Sequence, residues 1–162
     1  MAHILEEFAK LCNVSPKRAR LEDHFFPIAF DKYIILECAT KEESRSYTYW
    51  NEVLDLIQFN LNINGVKIVQ IVDGDGKFPP MPKADLTLGI LTRQQKAYVI
   101  KNSLAFVGSS GLSSHMASTY NIPSVSLHAK FFAKNDKPYW TDDNICLEPE
   151  GSKKPSFSPN CQ

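Results

Sequence analysis

Four small residues, Gly108-Ser109-Ser110-Gly111, stand between the apolar run Leu104 to Val107 and a stretch of helical character from Leu112 to Tyr120. A turn of this composition lets backbone approach an anion closely. The helix start behind it carries amides without partners and a partial positive charge, which together suit a phosphate. Ser109, Ser110 and Gly111 supply backbone N–H groups and short hydroxyl donors, and Ser113 and Ser114 add hydroxyls in the first helical turn. His115 lies one turn in, within reach of a phosphate oxygen or of a group carried on the phosphate. Local structure offers a second account of each residue. The turn can be a plain one with a serine N-cap. One of Ser113 and Ser114 can bond the carbonyl of the preceding turn. His115 can be a hydrogen-bonded histidine packed on the strand.

Arg45 and Thr92 are the next candidates. Arg45 follows the apolar run Tyr33–Leu36, on the side where ligands bind in open α/β sheets. A guanidinium there can neutralise a departing diphosphate, or it can be an exposed loop charge. Thr92 can meet a ribose or base, and it equally reads as a helix N-cap with Gln95 as capping-box partner. Asp73-Gly74-Asp75-Gly76 lacks the length and closing Glu of an EF-hand loop and reads as a turn. His3, His24 and His128 make no spacing with carboxylates that argues for a metal. Phe131, Phe132, Tyr139 and Trp140 are the aromatics placed to border a base or a partner surface.

The elements that position these residues can be read from hydrophobic period. Ile4, Leu5, Phe8, Leu11 and Cys12 share one face of a helix over 2–12. Residues 17–32 form a linker or extended approach. Tyr33–Leu36 is a short apolar strand, and Trp50, Val53, Leu54, Ile57 and Leu61 make one stripe of a helix over 49–62, stopped at Asn64-Gly65. Val66–Val72 is a β-branched strand, residues 85–90 an edge strand, and a helix runs from Thr92 to about Asn102. Strands follow at 105–107, 124–127 and 144–147, with the 112–120 helix between the first two and a loop rich in Phe, Lys and Trp before the last. Alternating strands and helices predict an α/β fold: a Rossmann-like parallel sheet with helices on both faces. The expected division is an N-terminal helix and linker over 1–30, the ligand-binding domain over 31–150, and a tail over 151–162.

Composition narrows the function. The chain has 162 residues, 43% hydrophobic and 22% charged, as in an ordinary globular domain able to bury roughly 70% of its unfolded surface. Lys plus Arg equals Asp plus Glu at 18 each, which gives no support to nucleic-acid or anionic-membrane binding. The short run Lys17-Arg18-Ala19-Arg20 reads as a solvated loop. Cys12, Cys38, Cys146 and Cys161 have no zinc spacing, and reduced thiols in a cytoplasmic protein are expected. There is no secretory h-region and no run of 18 apolar residues.

The segment from Phe106 to Leu127 resembles the C-terminal, donor-binding half-domain of GT-B glycosyltransferases, and in particular the heptosyltransferase family. That family carries Gly-Asn-Asp-Ser/Thr-Gly-x-x-His-x-Ala and, further on, Gly-x-Pro. Matched from the histidine, this chain has Gly108, Ser109, Ser110, Gly111, Leu112, Ser113, Ser114, His115 and Ala117, then Pro123. Tyr33–Leu36 and Val66–Val72 are similar to the half-domain's first two strands. Arg45 to Trp50 takes the place of the family's Lys-x-Trp-Pro, and Leu91-Thr92 that of its Thr-Ser-Leu helix start. The likeness runs from about residue 30 to 148. Two positions depart from it: Ser110 stands where the family has aspartate, and Leu112 where it has glycine. The loop near Arg45 is shorter and lacks the proline.

The resemblance implies binding of a nucleotide-diphosphate sugar, with an ADP-sugar favoured, at Arg45, Thr92, Ser109, Ser110, Gly111, Ser113, Ser114 and His115. It implies no cofactor and no metal, since a helix start and basic side chains hold the diphosphate. In GT-B enzymes the other half-domain carries the acceptor site and usually the catalytic base, so no residue here is expected to be that base. An acceptor half-domain or a second copy is the expected protein partner. Two other functions stay open: a non-catalytic nucleotide-binding or assembly module, and a nucleotide-sugar epimerase-like enzyme, which would need acid/base carboxylates in the cleft.

Overall fold

The computed structural model describes residues 3–38, 47–72, 80–128 and 133–148. Strands β1 (Tyr33–Glu37), β2 (Lys67–Ile71), β3 (Leu86–Leu88), β4 (Ala105–Ser109), β5 (Ser124–Leu127) and β6 (Asn144–Leu147) form one sheet. Its order is β3-β2-β1-β4-β5-β6, and every neighbouring pair is parallel. This is the strand order of a doubly wound Rossmann sheet, whose order reverses between β1 and β4. All five residues of β1 are buried, as a central strand covered on both faces requires.

Helices α1 (Ile4–Leu11), α2 (Trp50–Ile63), α3 (Arg93–Lys101), α4 (Leu112–Thr119) and the single turn α5 (Ala133–Asp136) complete the described elements. Alternate strand residues feed two cores. Tyr33, Ile35, Val69, Ile71 and Phe106 pack with Ala97 and Ile100 of α3 and Met116 and Ala117 of α4. Ile34, Leu36 and Ile68 pack on the other face against Trp50 and Leu54 of α2, the stripe expected from its period. Each large apolar side chain buried here contributes about 1.5–3 kcal/mol. The segment before β1 has no regular structure, yet Leu21, Phe26, Ile28 and Phe30 cover the first core.

Two local readings change. β4 extends through Gly108 and Ser109, because Gly108 pairs with Glu37 and Ser126, and Ser109 with Leu127. The turn is therefore only Ser110 and Gly111. Residues 133–136, expected as loop, make the turn α5, with Lys137 N–H donating to Ala133 O. The apolar face of α1 is not absorbed by the described core: Ile4, Phe8 and Leu11 are 47%, 58% and 82% exposed. Polar contacts of His3 anchor the start of α1. His3 caps it, its Nδ1 accepting from Leu5 N–H, while its Nε2 pairs with Lys137 O at 2.9 Å.

Candidate functional site

α4 starts at the carboxyl end of β4, beside the point where the strand order reverses. Its N-cap is Gly111, which has no side chain to accept from the helix amides, and no side-chain cap bond is made. The amides of Leu112, Ser113 and Ser114 have no intrahelical partner, as at any helix start. α3 differs. Thr92 Oγ1 accepts from Gln95 N–H at 3.1 Å, and Gln95 Oε1 accepts from Thr92 N–H at 3.0 Å. At α3 both halves of the capping box form, whereas at α4 only the return bond, from Gly111 N–H to Ser114 Oγ, is made.

The hydroxyls around this start are already sorted. Ser114 is fully buried, and its Oγ donates to Gly111 O and accepts from Gly111 N–H. That hydroxyl serves the turn, the local alternative for it. Ser113 is buried at 2% exposure. Ser109 and Ser110 are buried too; Ser110 N–H donates to Leu127 O, and its Oγ donates to Asp136 Oδ2 at 3.1 Å. Asp136 Oδ1 lies 3.6 Å from His115 Nε2, a distance of ion pairing rather than of a hydrogen bond. Burial pushes the Asp136 carboxyl up, but His115, Ser110 and the nearby His128 together hold it below its ordinary value. Ser110, Gly111 and His115 thus come together at the α4 start, joined by Asp136, which the sequence did not single out. Its position after β5, on the carboxyl side of the sheet, is the one signal that could have marked it.

Thr92 sits on the same carboxyl edge but beside β3, separated from β4 by two strands, roughly 14 Å at the usual strand spacing. Its hydroxyl works as a cap. Between these positions α3 sends Lys96 to the end of β1, where Nζ lies 2.9 Å from Glu37 Oε1. Arg45, Asp73 to Gly76, Phe131 and Phe132 lie outside the described residues. Tyr139 and Trp140 do not border the α4 start. Trp140 N–H donates to Ser118 Oγ near the far end of α4, and Tyr139 packs on His3 with its hydroxyl directed at Glu6. They seat α1. Arg18, in the basic run, donates to Trp140 O from an exposed loop. A shallow open hollow lined by Phe30, Lys32, Asn64, Gly65 and Lys67 occupies the opposite, amino-terminal end of the sheet.

Among the described residues, no group of three or more His, Cys, Asp or Glu is placed to hold a metal ion. No helix of the described residues is long and apolar enough to cross a membrane.

The fold defines the class: an α/β half-domain of the kind found in GT-B glycosyltransferases. Among solved structures, the chain is similar to a glycosyl transferase family 9 protein of Veillonella parvula, with a TM-score of 0.63 and 14% identity over 76% of this chain and 37% of that one. It is similar to E. coli heptosyltransferase WaaC with ADP, with a TM-score of 0.60 and 14% identity over 90% and 49%. It is also similar to the dodecameric iron-containing heptosyltransferase TibC in complex with ADP-D-β-D-heptose, a protein of enterotoxigenic E. coli. There the TM-score is 0.61, with 19% identity over 82% and 37%. At these identities the likeness is one of fold. The chain spans less than half the length of each of these structures. No protein-family profile matches it, and no curated protein matches it.

Proposed function

We propose that this chain is the nucleotide-diphosphate-sugar-binding domain of a heptosyltransferase-like glycosyltransferase. The observation that carries the proposal is the uncapped start of α4, set at the carboxyl end of β4 next to the strand-order reversal. The diphosphate sits on the amides of Leu112 to Ser114, with the Ser110–Gly111 turn against it. Arg45, which follows β1 in the sequence, adds positive charge to the departing diphosphate. In a whole enzyme the acceptor hydroxyl attacks the anomeric carbon of the sugar, the bond to the diphosphate oxygen breaks, and these groups hold the leaving diphosphate. The acceptor and the base that takes its proton belong to a second half-domain. The exposed Ile4, Phe8 and Leu11 of α1 form an apolar face suited to covering by such a half-domain or by a second copy.

Support comes from two structures of the same fold, one with ADP and one with ADP-D-β-D-heptose. Calorimetric titration with ADP, UDP, GDP and their sugars tests the reading. Binding of at least one nucleotide sugar is expected, weakened in Arg45→Ala and in Ser110→Asp, which sets a second carboxylate against Asp136. Absence of binding at millimolar ligand would overturn it. Binding without transfer, with acceptor and second half-domain supplied, would favour a non-catalytic module.

A further inference from the structure

We propose that the outer face of α2 pairs with the same face of a second copy of this chain, the two helices running antiparallel. The proposal does not depend on the nucleotide reading above. α2 carries two apolar stripes. Trp50, Leu54, Ile57 and Leu61 face the sheet and pack into the second core. On the other side of the helix, Leu56, Phe59 and Ile63 are 79%, 71% and 68% exposed, and the cap residue Tyr49 is 53% exposed. A surface helix of a globular protein turns one apolar stripe to its core and a polar face to water. Here the sheet covers one stripe and leaves the other without a partner.

The spacing of the outer stripe points to another helix of the same kind. Positions 49, 52, 56, 59 and 63 alternate steps of three and four, the a/d seam of a coiled coil, with Glu52 as its one polar member. A narrow seam of this sort fits a second seam, knobs into holes. The only charges on α2 are Glu52 and Asp55, and Asp55 is already paired with Lys83. The other residues flanking the seam include Asn60 and Asn62, which are uncharged and repel nothing.

Glu52 sets the direction. In a parallel pair the two Glu52 carboxylates would face each other within the seam, at a cost in repulsion. In an antiparallel two-fold pair each residue meets a different one, and does so twice. Leu56 then packs on the partner's Phe59, and Glu52 comes to the far end of the partner's helix. That end adjoins the hollow lined by Lys32, Lys67, Asn64 and Gly65, with Asp31 as the one acid on its rim. Lys67 is held by Asp85, and Lys32 is exposed and in place to meet the incoming carboxylate. The four large side chains offer on the order of 500 Å² per protomer, so a pair buries about 1,000 Å², enough for a weak, reversible dimer. α3 and α4 pack on the opposite face of the sheet, so the pairing leaves the start of α4 uncovered.

The test is sedimentation equilibrium of the full chain. Wild type should form a reversible dimer with a Kd on the order of 10 μM. Leu56→Lys and Phe59→Glu should each weaken it roughly hundredfold, because each sets unpaired charges in the seam. Both positions are exposed, so both variants should keep the wild-type melting temperature. An equimolar mixture of the two variants should dimerise again. In an antiparallel pair the introduced ammonium meets the introduced carboxylate in one layer, and Leu56 meets Phe59 in the other. Phe8→Glu, on the apolar face of α1, should dimerise like wild type. A wild-type chain still monomeric at about ten times the expected Kd would overturn the proposal. So would a dimer that survives Leu56→Lys and Phe59→Glu, or one that Phe8→Glu abolishes. Failure of the mixture to recover would overturn the antiparallel pairing. None of these results touches nucleotide binding, which calorimetry on the same chains reads separately.

Discussion

Lys96 Nζ on α3 lies 2.9 Å from Glu37 Oε1 at the last residue of β1, and the two side chains are only 13% and 11% exposed. The pair stands at the carboxyl edge of the sheet, next to the strand-order reversal, and fastens α3 to the central strand. Removing one partner of a nearly buried pair strands the other charge away from water. Lys96→Met should cost about 2–4 kcal/mol of stability, while Lys96→Met with Glu37→Leu should recover most of that loss. Urea unfolding of the two variants and the wild type checks this. A single variant as stable as wild type would contradict it.

Gly108 has its own reason to be glycine. A Cβ there would lie 2.6 Å from Glu37 O and 3.0 Å from Phe106 Cζ. Neither can yield cheaply: the carbonyl belongs to the paired strand, and the Phe106 ring is fully buried. Gly108→Ala should therefore destabilise by about 1–3 kcal/mol, an overpacking cost visible in the same urea assay.

Burial, with the charge of Glu37 next to it, pushes the Cys38 thiol up to about 12. At pH 8 only about one molecule in ten thousand then carries the reactive thiolate. Cys12 is exposed. Brief alkylation of the native chain, followed by mass spectrometry, should label Cys12 and spare Cys38. Unfolding in urea should expose Cys38 to the reagent. Equal native labelling of both would contradict the burial of Cys38 just after β1.

Asp136 gives an acid limb to the stability curve. Its carboxyl is lower in the folded chain than the ordinary value of 3.8, so the native state binds this proton less readily than the unfolded chain. The stabilisation is complete above the unfolded value and is lost as pH falls through the folded one. Melting curves recorded across the acid range should show wild type above Asp136→Asn at neutral pH, with the gap narrowing below pH 4. A gap independent of pH would mean that the charge of Asp136 contributes nothing to folding.

Much of the fold was legible because period and turn chemistry are local properties. The β-branched run Val66–Val72 contains β2, the stripe from Trp50 to Leu61 contains α2, and Thr92 with Gln95 marks the start of α3. What escaped depends on partners distant in sequence. Gly108 and Ser109 look like turn residues until Glu37, Ser126 and Leu127 pair with them. Tyr139 and Trp140 are aromatics near a sheet end until His3 and Ser118 receive them. The site divided the same way. The small-residue turn before α4 was visible as a pattern. The contacts of Asp136 with Ser110, and of Lys96 with Glu37, close over 26 and 59 residues and leave no trace in local spacing.

The central claim is that a nucleotide diphosphate binds at the start of α4. The most direct test is a titration of the isotope-labelled chain with ADP, followed through its backbone amide resonances. The amides of Ser110 to His115 and of Asp136 should shift together and saturably. Those of Lys32, Asn64, Gly65 and Lys67, in the hollow at the opposite end of the sheet, should stay in place. Shifts confined to that hollow, or none with millimolar ADP, UDP or GDP in turn, would contradict the account.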